Sequence, residues 1–259
     1  MQFASLGSGS RGNSTLIETD GTAILVDCGF SMRETEHRLQ RLSREIQQVR
    51  AILITHEHGD HVRGVASLAK KYNIPVWSSR GTAKAARLEK LIELNLWNCI
   101  DIHQNFEIDS IQIQPIPVPH DAKEPCQFIF SDGDWRIGML TDTGSITPYI
   151  EEQYSACDAF ILEANHDEDM LAKGSYPPSL KHRVGGKYGH LNNSQAKDLL
   201  TTIDISKLQY LVASHISEKN NTVALARDKM SEALDAEASW IDVASQDEGL
   251  DWRVLMHHG

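Results

Sequence analysis

Short apolar runs of four to eight residues recur along the chain and alternate with stretches in which apolar residues return every third or fourth position. Runs of the first kind suit strands buried on both faces, and stretches of the second kind suit helices lying on a sheet, so the pattern predicts an α/β protein. Strands are predicted at residues 3–6, 15–18, 23–27, 51–55, 76–78, 111–118, 126–131, 135–141, 159–163 and 210–214. Helices are predicted at 32–41, 65–72, 82–88, 147–154, 194–201 and 222–234, with Ser31 and Asn193 standing where caps belong. No repeat or low-complexity linker interrupts the 259 residues, and one domain over 1–259 is expected.

The polar residues that close these runs are more informative than the runs. The stretch 23–26 leads into Asp27, 51–54 into His56, 111–118 into His120, 137–140 into Asp142, 160–162 into Glu163 and 210–212 into His215. One such ending means little. Six would follow naturally if the strand ends met on one rim of a layered sheet, where sites are commonly built.

The densest chemistry lies in Thr55-His56-Glu57-His58-Gly59-Asp60-His61. Strand side chains alternate between faces, so His56 and His58, two apart at a strand's end, can turn the same way and chelate one ion. Gly59 then lets the chain turn sharply, which carries Asp60 and His61 toward a second ion. The simplest wiring gives His56, His58 and His120 to the first ion and Asp60, His61 and His215 to the second, with Asp142 shared. A hydroxide between two ions roughly 3.5–4 Å apart would then be the nucleophile of a hydrolase. Asp27 is expected to orient a ligating histidine rather than to bind metal. With His and Asp donors the metal can be zinc, manganese or iron.

Composition changes this picture little. With 41% hydrophobic and 24% charged residues the chain is an ordinary globular protein, and no apolar run approaches the ~20 residues of a membrane span, so a cytoplasmic location without membrane contact is expected. Cys28, Cys99, Cys126 and Cys157 lie far apart without a Cys-x-x-Cys pair, which suits reduced thiols. The net charge of −11 means that an anionic substrate needs a local cationic site, which metal ions would supply. Lys181, Arg183 and Lys187 add positive charge on what reads as a glycine-hinged segment. His257 and His258 are read as tail residues, not ligands.

His56, His58, Asp60 and His61 form the His-x-His-x-Asp-His hallmark, and with Asp27, His120, Asp142 and His215 in order the chain resembles the metallo-β-lactamase superfamily. That resemblance implies a four-layer αββα sandwich with a two-metal cleft at one edge, and the ligand set wired above. The segments 8–14, 163–167 and 189–196 look like the bacterial YycJ/WalJ group, for which DNA exonuclease activity is implied. The last two are also similar to elements of ribonuclease Z, which implies that Glu163 orients His190, that His190 protonates the departing sugar oxygen, and that Asp60 assists the water. Ser8, Ser10, Asn13, Lys181, Arg183 and Lys187 are candidate backbone contacts to the nucleic acid, and His166 is a polar group near the site without a role. Leu191-Asn192-Asn193 and Asn165-His166 depart from the ribonuclease pattern, so phosphodiester hydrolysis is the firmer expectation than transfer RNA processing.

The competing expectation is a hydrolase of small thioesters, lactones or cyclic phosphodiesters, since fold and metals alone select no substrate. A di-iron redox module would carry Glu at position 58 and need a flavin partner domain. A non-catalytic relative would be expected to lose ligands, and here none is missing.

Overall fold

The structure is a computed structural model that describes residues 1–257; His258 and Gly259 lie outside the described residues. Six strands of a first sheet come early: β1 (Gln2–Gly7), β2 (Ser14–Thr19), β3 (Thr22–Val26), β4 (Val49–Leu53), β5 (Val76–Ser78) and β6 (Trp97–Cys99). A second sheet follows, with β7 (Phe106–Ile108), β8 (Ile111–Pro117), β9 (Cys126–Ser131), β10 (Arg136–Leu140), β11 (Ala159–Glu163), β12 (Tyr210–Ser214) and β13 (Asp242–Val243). The last strand, β14 (Leu250–Val254), returns to pair antiparallel with β1. The sheet orders are β14-β1-β2-β3-β4-β5-β6 and β13-β12-β11-β10-β9-β8-β7.

The same alternation builds three hydrophobic cores. In β3, Ala23 and Leu25 face one core while Ile24 and Val26 face another; in β11, Ala159 and Ile161 face the second core and Phe160 and Leu162 a third. The shared middle core lies between the sheets, where Ile24, Val26 and Leu53 meet Phe128, Ile161 and Val212. The first outer core is closed by α1 (Met32–Arg41), α2 (Gly59–Val62), α3 (Val65–Tyr72), α4 (Arg80–Ala85) and α5 (Glu89–Glu93), of which all but the short α2 contribute fully buried residues. The other is closed by α6 (Pro148–Tyr154) and, beyond the short α7 (Glu168–Lys173) and α8 (Pro178–Val184), by α9 (Asn193–Thr202) and α10 (Val223–Ser231). Helix, sheet, sheet, helix is the four-layer order expected.

Each sheet is half antiparallel and half parallel. β3, β4, β5 and β6 run parallel in one, and β10, β11, β12 and β13 in the other. Parallel neighbours deliver their C-terminal ends to the same edge, which is why the polar residues after β3, β4, β10, β11 and β12 can meet. The prediction lacks the short elements α2, α5, α7, α8, β6, β7 and β13 and the closing strand β14. The segment holding Lys181 and Arg183 belongs to α8 rather than to a loop, and only Gly185 onward leaves the helix. The cap of α9 is Asn192, whose side chain accepts from Gln195 N in a capping box; Asn193 instead exchanges two side-chain hydrogen bonds with Asn221. No helix among the described residues is long and apolar enough to cross a membrane.

Candidate metal centre

Three imidazoles converge at the end of β4. His56 Nε2 lies 3.0 Å from His58 Nδ1, and His120 Nε2 lies 3.3 Å from that same atom. Each ring's free lone pair is set by what its other nitrogen does. His120 Nδ1 donates to the Gly189 carbonyl at 3.0 Å, and His56 Nδ1 lies 3.0 Å from Thr55 Oγ1, which itself donates to Asp27. Burial, with the neighbouring imidazole of His61 next in weight, pushes His56 well below the usual histidine range. Burial also pushes His120 down, against the pull of Asp142. Both rings are thereby kept neutral, the form that can ligate a metal.

The second half of the cluster is richer in carboxylate. His61 Nε2 is 3.5 Å from Asp60 Oδ2 and 3.4 Å from Asp142 Oδ2, and His215 Nε2 is 4.0 Å from Asp60 Oδ2. Here burial disfavours imidazolium but is outweighed: Asp142 and Asp27 raise His61 well above its ordinary value, and Asp142 heads the groups that raise His215 to about 9. Asp142 itself is held well below the usual carboxylate range, since His215 and His61 overcome its desolvation. This half favours positive charge, whether carried by protons or by a cation.

One atom tests whether a cation fits. Asp142 Oδ2 is buried and has no hydrogen-bond partner. A buried carboxylate oxygen left without donors is costly, and a divalent ion beside His61 would satisfy it. His215 Nδ1 is also without a sound hydrogen bond, because it approaches Asp142 Oδ1 to 2.9 Å off the bonding line. The donor atoms fall into overlapping groups, His56 with His58 and His120, His56 with His61 and Asp142, and Asp142 with Glu163, His190 and His215, each able to surround an ion.

Asp27 supports rather than joins the cluster. Fully buried, it accepts from Thr55 N at 2.9 Å and Thr55 Oγ1 at 2.8 Å, and its Oδ2 lies 2.8 Å from His61 Nδ1. This turns His61 Nε2 toward Asp60 and Asp142. The backbone is brought in as tightly: a Cβ at Gly29 would lie 1.6 Å from the Asp60 carbonyl oxygen, so only glycine fits there.

Beside the cluster stands a part-buried histidine–glutamate pair. His190 Nδ1 lies 2.8 Å from Glu163 Oε1, while Glu163 Oε2 accepts from Leu191 N at 3.0 Å and Thr143 N at 3.2 Å. Glu163 is fully buried and His190 lines the cleft. Its Nε2 is therefore free to act there.

The cleft holds about 340 Å³ and is lined by Asp60, Asp142, His190, His215, Arg183 and Tyr176 among others. Of the candidate nucleic-acid contacts, Ser10 and Arg183 line it, Arg183 paired with Asp121. The others are placed differently. Ser8 and Asn13 are buried: Ser8 Oγ accepts from His215 N at 2.9 Å, and Asn13 Nδ2 lies 3.2 Å from Asp60 Oδ2 and 3.1 Å from His61 Nε2, so both brace the cluster. Lys181 Nζ donates to the Ala172 carbonyl at 2.6 Å, and Lys187 lines a neighbouring hollow. His166 is buried, is pushed down to about 4 by desolvation, and has a bare Nδ1. Residue patterning missed Thr55 and Asp121; Thr55's place between a strand end and His56 was the available signal, and Asp121 offered only its adjacency to His120.

A model of the beta-lactamase superfamily domain matches residues 22–216. The chain is 33% identical over 243 residues to exodeoxyribonuclease YycJ of Bacillus anthracis, covering 91% of this chain and 89% of that protein. It is 31% identical over 236 residues to exodeoxyribonuclease WalJ of Streptococcus pneumoniae serotype 2, covering 90% and 88%. Among solved structures, Zn(2+)-bound PqqB from Methylobacterium extorquens superposes with a TM-score of 0.74 at 17% identity, covering 98% of this chain and 100% of that one.

Proposed function

The chain belongs to the beta-lactamase superfamily as a metal-dependent hydrolase, and from that premise we propose that it is a two-metal phosphodiesterase removing nucleotides from DNA ends. The pair His190 and Glu163 carries this reading. A sugar alkoxide is a poor leaving group and needs a proton as the P–O bond breaks, whereas a thiolate needs almost none. Glu163 holds the imidazole by Nδ1, and Nε2 delivers the proton to the departing oxygen. The exonuclease names of two relatives similar over nine-tenths of the chain favour DNA as the polymer.

His56, His58 and His120 would hold one ion and Asp60, His61 and His215 the other, with Asp142 beside both sets. Such ions, zinc, manganese or iron by the donor set, supply an activated water and neutralise charge on the phosphoryl group. Asp27 fixes the His61 ring, and Asp60 orients the attacking water by a hydrogen bond. Ser10 and Arg183 contact backbone phosphates at the cleft wall.

The test is a panel of end-labelled single-stranded, duplex and gapped DNA, a structured RNA and a thioester, each with zinc, manganese or iron. Stepwise shortening of DNA that stops with chelator is expected. Thioester turnover without cleavage of any nucleic acid would overturn the proposal.

A further inference from the structure

Tyr188 is 64% exposed, yet the backbone that carries it is hydrogen-bonded. The carbonyls of Lys187, Tyr188 and Gly189 are each engaged: Ser145 Oγ donates to the first at 3.1 Å, Asp121 N to the second at 3.0 Å, and His120 Nδ1 to the third at 3.0 Å. Gly144 packs backbone to backbone on this segment, since a Cβ there would lie 2.4 Å from Gly189 N and 2.5 Å from Tyr188 N. The next residue after Gly189 is His190. Tyr188 and Lys187 look into a hollow of about 400 Å³ floored by Pro117, Pro119 and Thr147. Gly189 and His190, the next two residues along the chain, line the metal cleft.

A large aromatic ring left mostly in water on a hydrogen-bonded backbone is prepared for binding, because little backbone entropy remains to be lost when a ligand covers it. A tyrosine beside a lysine gives the combination that single strands use, a flat ring for a base and a cation for a phosphate. Position supplies the rest, because that backbone lies next in sequence to the residue that protonates the leaving oxygen.

Resting on the nuclease reading above, we infer that Tyr188 is a stacking platform for the base of the nucleotide that carries the leaving oxygen, with Lys187 meeting its flanking phosphate. The ring binds by its face, so the hydroxyl is dispensable. Sequence preference at this position is weak, since every base has a face to offer.

The test is a double-mutant cycle between protein and DNA. The wild type, Tyr188→Ala and Tyr188→Phe are assayed on a single strand that is intact, abasic at the terminal nucleotide, or abasic at the penultimate one. On the intact strand Tyr188→Ala is expected to lower kcat/KM about 5- to 100-fold, mostly through KM, while Tyr188→Phe stays near wild type. On one of the two abasic strands the Tyr188→Ala effect is expected to vanish, because the ring has nothing to stack on. Lys187→Gln is expected to flatten the salt dependence of binding by about one phosphate contact. DNA cleavage with Tyr188→Ala equal to wild type, or an equal loss on all three strands, overturns the platform and leaves the nuclease reading standing. Absence of cleavage of any nucleic acid by the wild type overturns both.

Discussion

Glu163→Gln isolates the proposed proton donor, because it removes a charge while keeping the shape. Oε2 of Glu163 accepts from two backbone N–H groups, of Leu191 and Thr143, and in the variant the amide oxygen is held on that side. The amide nitrogen must then face His190 Nδ1, where the carboxylate had been at 2.8 Å. Two donors cannot share that contact, so Nδ1 has to give up its proton and accept, and the doubly protonated ring loses its anionic partner. A hydrogen bond to a charged group in a buried setting contributes about 1.5–3 kcal/mol, and Glu163 is fully buried, so solvent screening does not reduce it. At 1.4 kcal/mol per factor of ten, kcat on an alkoxide-leaving phosphodiester should fall about 10- to 150-fold. A p-nitrophenyl phosphodiester, whose leaving group departs without a proton, should lose less than about threefold. The assay compares kcat for the two substrates in wild type and variant, with metal content and thermal midpoint measured on the same samples. Equal losses on both substrates would mean that Glu163 acts on the metal cluster or the fold, and no loss on either would remove the Glu163–His190 contact from the mechanism.

Asp27→Asn is expected to weaken metal binding about 10- to 100-fold by releasing His61, measured by competition with a chromophoric chelator; unchanged affinity would contradict its role as an orienting residue. Phe160→Ala should lower stability by about 3–5 kcal/mol, read as a shift in the urea midpoint, because the ring is buried in the second sheet's outer core and stacks on Tyr154 at 5.1 Å. In the native protein at pH 8 a thiol reagent should titrate Cys99 quickly and the other three only on unfolding. Burial pushes Cys28 up to about 12, Cys157 up to about 11 and Cys126 further, and thiolate is the reactive form; fast titration of two or more thiols would refute this packing.

Where apolar period and burial coincide, the residue pattern was enough. Residues 32–41, 65–72, 126–131 and 159–163 were bounded to the residue, since each presents a face that only a core can take. Several of the missed elements lack that face, although α5, α7 and β14, each burying one leucine, were missed as well. α8 buries no residue, so it shows no helical stripe, and β6, β7 and β13 are two or three residues long at or next to a sheet edge. The Asn192 cap was legible, because Gln195 stands three residues on, as a capping box requires, whereas Asn193 has Ala196 there. Ligand types could be read from strand ends, but Ser8 and Asn13 could not be told from substrate contacts. Their burial depends on β1 and β2 passing beneath β12's end, a distance of about two hundred residues in sequence.

Backbone strain shows how the rim divides its labour. Asp27, Asp142 and His215 follow their strands by one or two residues, and all three sit at positive φ, at 59°, 53° and 52°. Such a conformation costs a non-glycine residue roughly 1–3 kcal/mol, and it turns the side chain across the strand end instead of along it. Three strained residues at one edge need compensation, and the structure provides it in two ways. Both carboxylate oxygens of Asp27 are engaged, by Thr55 N and Oγ1 and by His61, so its strain is offset within the protein. Asp142 Oδ2 and His215 Nδ1 have no such partners. Asp142 and His215 face each other at 2.9 Å, and a cation bound at the proposed centre would satisfy the oxygen that remains bare. One strained carboxylate thus has both oxygens satisfied by the protein while the other keeps a bare one facing the proposed metal centre, a difference that residue type alone, Asp in both cases, does not reveal.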